Sequence, residues 1–310
     1  MPFLRSGDSF PFAMKATAIP HSLFTVLLGA ILTGAPTRTD ATPPHELEAA
    51  ASQGDANAQY LLGQAYLKGN GVAKNPGKAL EWTKKAAAQD HAEALGGVGY
   101  FYAMGLAVPE DDKEALEWFR KGTEKGSVKA QLNLGLALAN GMGAPADEKE
   151  GLRLIDRAAE KALPAALSAQ GETYLLGQFG RAADHTKALA IFQTAAKANH
   201  VWAQNYLGVM MRDGLGTSKD EQAAMTWFRK AAEQGDAKAQ SNLGHALGVG
   251  SKDRARKIEA LKWIMLAADQ REITAEKTLE ELTPNLPPAD LTDARTLADE
   301  FQKNSSAKAR

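Results

Sequence analysis

The chain has 310 residues, of which 44% are hydrophobic and 24% are charged, and its formal net charge is −1. This much apolar material supports a sizeable core, so the composition argues against global disorder. Because the charges balance, the chain has no electrostatic footprint for nucleic acid or for an anionic membrane surface. It contains no cysteine, which excludes disulfides, thiolate nucleophiles and cysteine-ligated metal sites.

Residues 1–41 are organised like a secretory signal peptide. An uncharged run over residues 22–35 follows Arg5 and Lys15, and a polar stretch with prolines comes after it. This is the order of the charged, apolar and cleavage regions of an export signal. The run is shorter than the roughly 20 apolar residues of a membrane span, although an uncleaved anchor or a buried helix stays open. We predict an exported protein, periplasmic or secreted, with no stable membrane span after cleavage.

The cleavage site and the start of the signal have alternatives. Cleavage after Ala41 leaves small residues at the recognition positions, whereas cleavage after Ala35 would place Pro36 directly behind the cut. The first site is therefore favoured. Met14 is an alternative start to Met1, because it would give a compact signal with its charge at the front.

From residue 42 to residue 270 the chain repeats itself about every 36 residues. One column of the repeat, the glycine column, is Gly63, Gly99, Gly135, Gly171, Gly208 and Gly244. A second column of small residues is Ala79, Ala115, Gly151, Ala188, Ala224 and Ala260. A period in this range is typical of a solenoid of stacked supersecondary units.

Each repeat is predicted to form two helices joined by a turn. In the first helix, Ala58, Leu62 and Tyr66 lie about one turn apart and make one apolar stripe. Asp55 stands just before this helix, where an N-cap acceptor is wanted. Gly69 follows it, where a left-handed residue would end the helix.

The second helix is predicted over about residues 76–88, with Ala79, Trp82 and Ala86 on its buried face. The small residues of the two columns would let the helices approach closely. A column of large side chains would fill the space between neighbouring repeats. It consists of Trp82, Trp118, Leu154, Ile191, Trp227 and Trp263.

These positions resemble the Sel1-like repeat family, a relative of the tetratricopeptide repeat. In the first repeat the resemblance rests on Ala58, Leu62-Gly63, Tyr66, Gly69-x-Gly71-Val72, Lys78-Ala79, Trp82 and Ala86-Ala87. It covers about residues 46–270 and implies an all-α fold, an α-solenoid of six helix-turn-helix repeats wound as a right-handed superhelix. Two departures affect loops: an extra residue after Gly177 in the fourth repeat, and a changed turn over residues 250–256 in the sixth.

Residues 271–310 depart from the repeat. A helix is predicted over residues 271–282, followed by a proline-rich turn and an amphipathic helix over about residues 289–302. Terminal repeats must cover an apolar face that would otherwise be exposed, so these helices are expected to cap the stack. Residues 304–310 are expected to form a disordered tail.

No catalytic constellation stands out in the sequence. The histidines lack metal-ligand spacing beside a carboxylate, and no G-x-S-x-G or S-x-x-K motif occurs. The acidic run Glu110-Asp111-Asp112 could be a cation site, but a solvated loop before a helix is the favoured interpretation. The Gly-x-Gly pairs lack the strand and the Lys-Ser/Thr of a phosphate-binding loop. We predict no enzymatic activity, no metal and no cofactor.

A candidate binding face is predicted on the first helices, opposite the recurring apolar stripe, where residues vary freely between repeats. Varied polar and aromatic residues suit a peptide- or protein-binding groove, although an ordinary solvent face is the alternative. Tyr100 and Tyr206 are the sharpest candidates, as exposed aromatic anchors. The other candidates are Gln64, Met104, Asn133, Leu136, Glu172, Val209, Asn242 and His245.

The resemblance implies adaptor work, so the leading prediction is a monomeric, non-enzymatic interaction scaffold of the bacterial cell envelope. It would bind a protein or peptide on the concave solenoid face, and no nucleic acid. The alternative is a peptidoglycan- or β-lactam-related envelope enzyme or binding protein. That alternative is weakened because the relatives with such links are cysteine-rich, whereas this chain has no cysteine. A purely structural envelope subunit is a third possibility.

Overall fold

The computed structural model describes residues 44–248 and 250–308. Within these residues all regular secondary structure is helical, with fifteen α-helices and one short 3-10 helix. They belong to two compact units, an amino-terminal unit of residues 44–184 and a carboxy-terminal unit of residues 185–308. The predicted signal peptide lies outside the described residues. No helix in the described ranges combines the length and the apolar character that crossing a membrane requires.

The amino-terminal unit contains the first eight α-helices. They are α1 (Pro44–Ser52), α2 (Ala56–Lys68), α3 (Pro76–Ala87), α4 (Ala92–Ala103), α5 (Asp112–Glu124), α6 (Val128–Asn140), α7 (Glu148–Ala159) and α8 (Pro164–Leu176). The carboxy-terminal unit continues with α9 (His185–Lys197), α10 (Val201–Asp213), α11 (Glu221–Glu233), α12 (Ala237–Gly248), α13 (Arg254–Asp269), α14 (Ile273–Leu282), a 3-10 helix (Thr283–Asn285) and α15 (Pro288–Lys308).

Most consecutive helices within each unit pack on each other. Within a unit, the first helix of a repeat packs on the second, as α2 does on α3 and α10 on α11. The second helix then packs on the first helix of the next repeat, as α3 does on α4 and α11 on α12. This pattern of contacts between sequence neighbours is that of a helical-repeat solenoid. The prediction of an all-α solenoid of six two-helix repeats is confirmed.

The glycine column lets the two helices of a repeat approach closely within each unit. A Cβ at Gly99 would lie 3.0 Å from the carbonyl oxygen of Ala115, and one at Gly135 would lie 2.9 Å from the carbonyl oxygen of Gly151. Both distances are shorter than a carbon–oxygen van der Waals contact, so no larger residue fits without displacing a helix. The predicted close approach of the two small-residue columns is confirmed.

The core between the helices is filled by a different column from the predicted one. Trp82, Trp118 and Trp227 are only partly buried. The enclosed side chains are one residue further along, with 0–1% of their surface exposed: Thr83, Phe119, Ile155, Phe192, Phe228 and Ile264. Trp82 and Trp118 still pack against the core clusters of the first two repeats, so the predicted contact is present at these two residues, whereas the predicted burial was wrong for all three tryptophans.

The glycine column explains this shift. A Cβ at Gly99 would lie 2.7 Å from the ring of Phe119, and one at Gly208 would lie 2.6 Å from the ring of Phe228. The enclosed ring occupies the space that a side chain at the glycine position would need. The tryptophans lie beside it, and lysines of the same helices cover their rings, as Lys85 does at 3.9 Å from the ring centroid of Trp82.

The turn from each second helix to the next repeat uses a residue with positive φ. Gly54, Gly126 and Gly235 hold it at φ 96°, 92° and 92°. Ala162 at φ 54° and Arg271 at φ 62° adopt the same region without being glycine. A side chain there carries a steric cost of about 1–2 kcal/mol. The turn geometry is therefore retained even where the sequence does not favour it.

The helix ends follow the predicted capping residues. The Asp55 side chain accepts a hydrogen bond from the backbone N–H of Ala58 at 2.7 Å, which caps α2. Asp236 accepts one from Ala239 at 2.7 Å and caps the start of α12. Gly69 ends α2 at φ 81°. The predicted N-cap and the predicted left-handed stop are both confirmed.

The extra residue of the fourth repeat lies in a loop that Arg181 ties down. The Arg181 guanidinium forms an ion pair with Asp156 on α7 and donates to the Thr173 hydroxyl at 2.6 Å. It also lies 4.1 Å from the ring centroid of Tyr174. These contacts hold the longer loop against α7 and α8.

The last two helices both pack on α13. Arg254, at the start of α13, donates to Asp290 and Asp293 on α15 at 2.8 Å each. Phe301 packs edge-on against Trp263, with ring centroids 5.1 Å apart. The tail predicted to be disordered over residues 304–310 is helical as far as Lys308. No glycine or proline occurs after Pro288, so nothing in the local sequence ends the helix earlier.

Candidate functional site

The predicted binding face is much less exposed than its sequence pattern suggested. No residue of α4, α6 or α8, all of which the structure describes, is exposed. Five of the ten candidates are buried, with exposed fractions of 8% for Tyr100, 3% for Asn133, 1% for Leu136, 3% for Glu172 and 4% for Val209. For these five residues, the expectation of a solvent-facing position was wrong.

Close packing between the first helices of neighbouring repeats explains this burial. Helix α4 contacts α6 directly. A Cβ at Gly96 on α4 would lie 2.9 Å from the Cβ of Ala130 on α6. Glycine and alanine thus bring these helices so close together that the side chains between them are enclosed. The side opposite the apolar stripe is therefore covered by neighbouring first helices.

The two candidate tyrosines differ in their surroundings. Tyr100 packs edge-on against Phe101, with ring centroids 6.4 Å apart, and burial raises the pKa of its phenol. Tyr206 is partly buried and stacks on Phe192 at 4.9 Å and 14°. Tyr206 thus retains partial access to a partner, whereas Tyr100 belongs to the core of its unit.

Five candidates keep partly exposed side chains. In the amino-terminal unit these are Gln64 on α2 and Met104 at the end of α4. In the carboxy-terminal unit they are Tyr206 on α10 and Asn242 and His245 on α12. The carboxy-terminal unit therefore keeps most of the predicted face accessible.

Asn242, one of these accessible residues, belongs to a hydrogen-bonded set of side chains on α10 and α12, and Tyr206 and His245 lie beside that set. We call Asn205, Arg212, Asp213 and Asn242 the α10–α12 polar cluster. The Asn242 amide donates to the Asn205 carbonyl oxygen at 2.9 Å, and Arg212 donates to the Asn242 oxygen at 3.4 Å. Arg212 also donates to both carboxylate oxygens of Asp213 at 2.8 Å. The cluster joins the first helices of two successive repeats.

The cluster is placed between the core and solvent. The side chains of Arg212 and Asp213 are 27% and 33% exposed. Their charges cancel, while the amides and the guanidinium offer both donors and an acceptor. Beside the cluster, the His245 ring nitrogen Nε2 lies 3.1 Å from the hydroxyl of Thr278 on α14. This arrangement suits hydrogen bonding to a neutral polar group such as a peptide backbone.

Sequence comparison missed Asn205 and Arg212. Asn205 and its partner Asn242 are 37 residues apart, one more than the usual repeat, so an alignment of equivalent columns separates them. The column itself gives no signal, because it contains Ser168 and Ser241 as well as Tyr60 and Leu132.

A second concave feature lies between α11 and α13 and encloses about 650 Å³. Met225 and Leu247 contribute apolar surface, and both signs of charge line it. An ion pair between Arg229 and Glu259 spans the two helices at 2.7 Å. The lining carries three basic and three acidic side chains, so the cleft has no net charge that would select a charged ligand.

The described residues hold no cluster of three or more His, Asp or Glu side chains that could bind a metal ion. Asp236 is a carboxyl group whose pKa is raised by burial. It caps α12 by accepting a hydrogen bond from the backbone N–H of Ala239.

Comparison with known proteins identifies the repeat. Six matches to the Sel1 repeat cover residues 56–91, 92–127, 128–163, 165–200, 203–236 and 237–271. A Sel1 repeat protein from Oxalobacter formigenes is similar in structure, with a TM-score of 0.60 and 28% identity over 73% of this chain and 99% of that one. No protein with a curated function matches the chain.

Two other solved structures are more distant. A protective antigen of uropathogenic Escherichia coli strains, c5321, displays an SLR fold and aligns with a TM-score of 0.46 and 23% identity, over 93% of this chain and 70% of that one. A sel1 repeat protein from Klebsiella pneumoniae subsp. pneumoniae aligns with a TM-score of 0.49 and 23% identity, over 66% of this chain and 99% of that one.

Proposed function

This chain belongs to the Sel1 repeat family, whose members generally act as protein-interaction scaffolds, and from this premise we propose a non-enzymatic adaptor of the bacterial cell envelope. It binds a polypeptide segment of a partner protein on the first helices of its carboxy-terminal unit. The α10–α12 polar cluster and the neighbouring Tyr206 form the contact surface.

The observation that carries this proposal is the partial exposure of a polar cluster built across two repeats. Arg212 and Asn242 are held by their own hydrogen bonds, so little side-chain entropy is lost when a partner docks. A peptide backbone presents alternating donors and acceptors, which the Arg212 guanidinium and the Asn242 amide complement. Asn205 is buried at 9% exposure and holds the Asn242 amide in place. Tyr206 adds an aromatic surface of the kind enriched at protein interfaces.

The envelope location rests on residues 1–41, with their charged, apolar and small-residue regions. If the protein is exported, fractionated bacterial cells should contain a shortened chain in the periplasm or the medium. Intact-mass measurement should place its new amino terminus after Ala41, or after Ala35 for the alternative cleavage site. An uncleaved chain confined to the cytoplasm would refute the proposed location while leaving the scaffold proposal open.

The binding surface is tested by site-specific crosslinking followed by affinity measurement. A photo-reactive phenylalanine analogue at residue 206 should crosslink a partner in cells, and the same analogue at residue 197, exposed at the end of α9, should not. The captured partner is then purified and titrated against Arg212→Ala and Asn242→Ala. Each should weaken binding about tenfold, the typical effect of removing a hydrogen bond to a charged or buried group.

Lys197→Ala is the matched control for affinity. It also removes a long side chain from the carboxy-terminal unit, but lies outside the polar cluster. Equal affinities for the parent, both cluster variants and the control would refute the proposed surface. Melting temperatures of the variants within a few degrees of the parent would show that any lost affinity is not lost folding.

A further inference from the structure

The chain contains two Asn-Gly pairs, Asn70-Gly71 and Asn140-Gly141. An asparagine followed by glycine can deamidate without an enzyme, because glycine has no side chain to obstruct attack by its backbone nitrogen on the asparagine carboxamide. The reaction requires a free side chain and a backbone that can bring the two groups together. Both pairs lie at the carboxyl ends of first helices, but Asn140 is the last residue of α6 whereas Asn70 lies two residues beyond α2, so their local surroundings decide between them.

Asn70 occupies a repeat position that is apolar in the second and third repeats. The equivalent residues there, Leu106 and Met142, are partly buried and buried, and Leu106 packs against the core cluster of the first repeat. None of the described residues covers Asn70 in the same way. Its side chain is exposed.

The described residues provide no hydrogen-bond partner for the side chain of Asn70 and no acceptor for the backbone N–H of Gly71. Asn70 itself is held only through its backbone N–H, which donates to the Ala65 carbonyl oxygen at 3.0 Å. The carboxamide of Asn70 and the nitrogen of Gly71 are thus both available for reaction. The turn that contains them lies outside the helical hydrogen-bond ladder.

Asn140 is restrained at the same points. It is the last residue of α6, and its side-chain amide donates to the Leu136 carbonyl oxygen at 2.8 Å. The backbone N–H of Gly141 donates to the carbonyl oxygens of Ala137 and Leu138. Cyclisation at this pair would break these bonds, so it requires local opening of the end of α6.

We infer that Asn70 is a site of spontaneous deamidation in the folded protein and that Asn140 is protected. The backbone nitrogen of Gly71 forms a bond to Cγ of Asn70 and loses its proton, while the C–N bond of the carboxamide breaks and ammonia leaves. One water molecule then opens the resulting succinimide at either carbonyl. The product is aspartate or isoaspartate at residue 70.

The new carboxylate lies just beyond the carboxyl end of α2. The negative end of the helix dipole disfavours an anion at this place, which weakens the end of the first repeat. The isoaspartate product also adds a backbone methylene to the turn that leads into α3. In that turn the backbone N–H of Asn75 donates to the Tyr66 carbonyl oxygen at 2.8 Å. Deamidation is therefore expected to loosen the first repeat before the others.

The test incubates the folded full chain in mildly alkaline buffer and maps its peptides by mass spectrometry with isoaspartate detection. Asn70 should convert at least about tenfold faster than Asn140, because only Asn140 must first undergo local opening. In a denaturant that unfolds the chain, the two rates should converge. Asn70→Gln should abolish the modification of the first-repeat peptide and leave the slow rate at Asn140 unchanged.

Equal rates at the two asparagines in the folded chain would overturn the inference. So would an unmodified Asn70 over a period in which the unfolded chain converts there. A mass gain that persists in the first-repeat peptide of Asn70→Gln would place the reaction elsewhere and would also contradict it.

Discussion

At the scale of single residues, the turns between repeats show where the sequence opposes the fold. Ala162 adopts φ 54° in a position that Gly126 and Gly235 occupy in other repeats. The Ala162 side chain is exposed, so its methyl group contributes little packing. Its steric cost in the left-handed region, about 1 kcal/mol, is therefore largely uncompensated.

Ala162→Gly is expected to raise the free energy of unfolding by roughly 0.5 kcal/mol, because the relief of backbone strain, about 1–2 kcal/mol, exceeds the entropy of about 0.4–1 kcal/mol that glycine adds to the unfolded chain. Chemical denaturation measures this change. Gly126→Ala is the matched control, since no atom lies within 4 Å of the Cβ it would add and its φ is +92°. This reverse substitution should lower stability by a similar amount. Destabilisation by Ala162→Gly would contradict the strain assigned to this turn.

His200 is a second residue whose chemistry follows from its place before a helix. It directly precedes α10, and burial lowers the pKa of its imidazole from 6.5 to about 4. The folded chain therefore keeps this ring neutral where the unfolded chain would protonate it. The resulting stability is complete above pH 6.5 and is lost as the pH falls towards 4.

Lowering the pH from about 7.5 to about 5 should reduce the free energy of unfolding by about 2 kcal/mol through the His200 imidazole. His200→Asn cannot titrate and can still cap α10, so its stability should depend on pH less steeply than that of the parent by this amount. Denaturation curves at the two pH values provide the measurement. Parallel pH profiles for the parent and His200→Asn would contradict the assignment.

At the scale of helices, a glycine of the first helix faces an enclosed side chain of the second helix in five of the repeats. Gly208→Ala would place a Cβ 2.6 Å from the Phe228 ring and 3.2 Å from the Ala224 carbonyl oxygen. We expect a loss of about 1–3 kcal/mol from this overpacking. Gly77→Ala on α3 is the matched control, because its Cβ would meet only the Asn75 side chain, at 3.4 Å. That variant should be stabilised by about 0.5–1 kcal/mol through helix propensity.

A double-mutant cycle connects the cost to the predicted contact. Phe228→Leu alone should destabilise the protein, since the ring is fully buried. In the double variant, the smaller side chain at residue 228 should leave room for the methyl group that Gly208→Ala adds. The double variant should therefore lose less stability than the sum of the two single losses. Strict additivity would show that the methyl group does not meet the ring.

The sequence predicted the helices and their caps well, but it predicted less well which side chains are exposed. The second helix expected over residues 76–88 is α3, Pro76–Ala87. The capping residue Asp55 and the close approach of the small columns also agree with the structure. These features follow from local chemistry and from periodicity, which one chain displays six times.

Burial of particular side chains depends on contacts between helices, which periodicity alone does not define. Trp82 and Thr83 are neighbours on one helix, and both columns contain large residues elsewhere. Thr83 is the enclosed residue of the two, because it faces the space that Gly63 leaves by having no side chain. Likewise, Asn133 varies between repeats as a surface residue would, yet the close pairing of Gly96 with Ala130 places α6 against α4 and leaves it 3% exposed.

At the scale of the whole molecule, a solenoid needs its last apolar surface covered. The tryptophans of earlier repeats, such as Trp118 and Trp227, are partly exposed, whereas Trp263 is 1% exposed. The difference is α15, whose Phe301 packs on the Trp263 ring. Helix α15 also buries Ala294 and Ala298 completely. It therefore contributes to the stability of the last repeat through a narrow stripe of contacts.

Ending the chain after Leu286 removes α15 and should expose Trp263 together with the apolar surface around it. Amide hydrogen exchange in α13 should then lose about 3 kcal/mol of protection, the burial free energy of one or two large side chains. Protection of α2 to α7 should stay as in the full chain, because repeat stability is governed by nearest neighbours. Phe301→Ala should reproduce part of the loss, whereas Leu297→Ala, at a side chain 40% exposed on the same helix, should change little. If α13 keeps its full protection without α15, the last repeat is stable by itself, and the contact between Phe301 and Trp263 is not what maintains it.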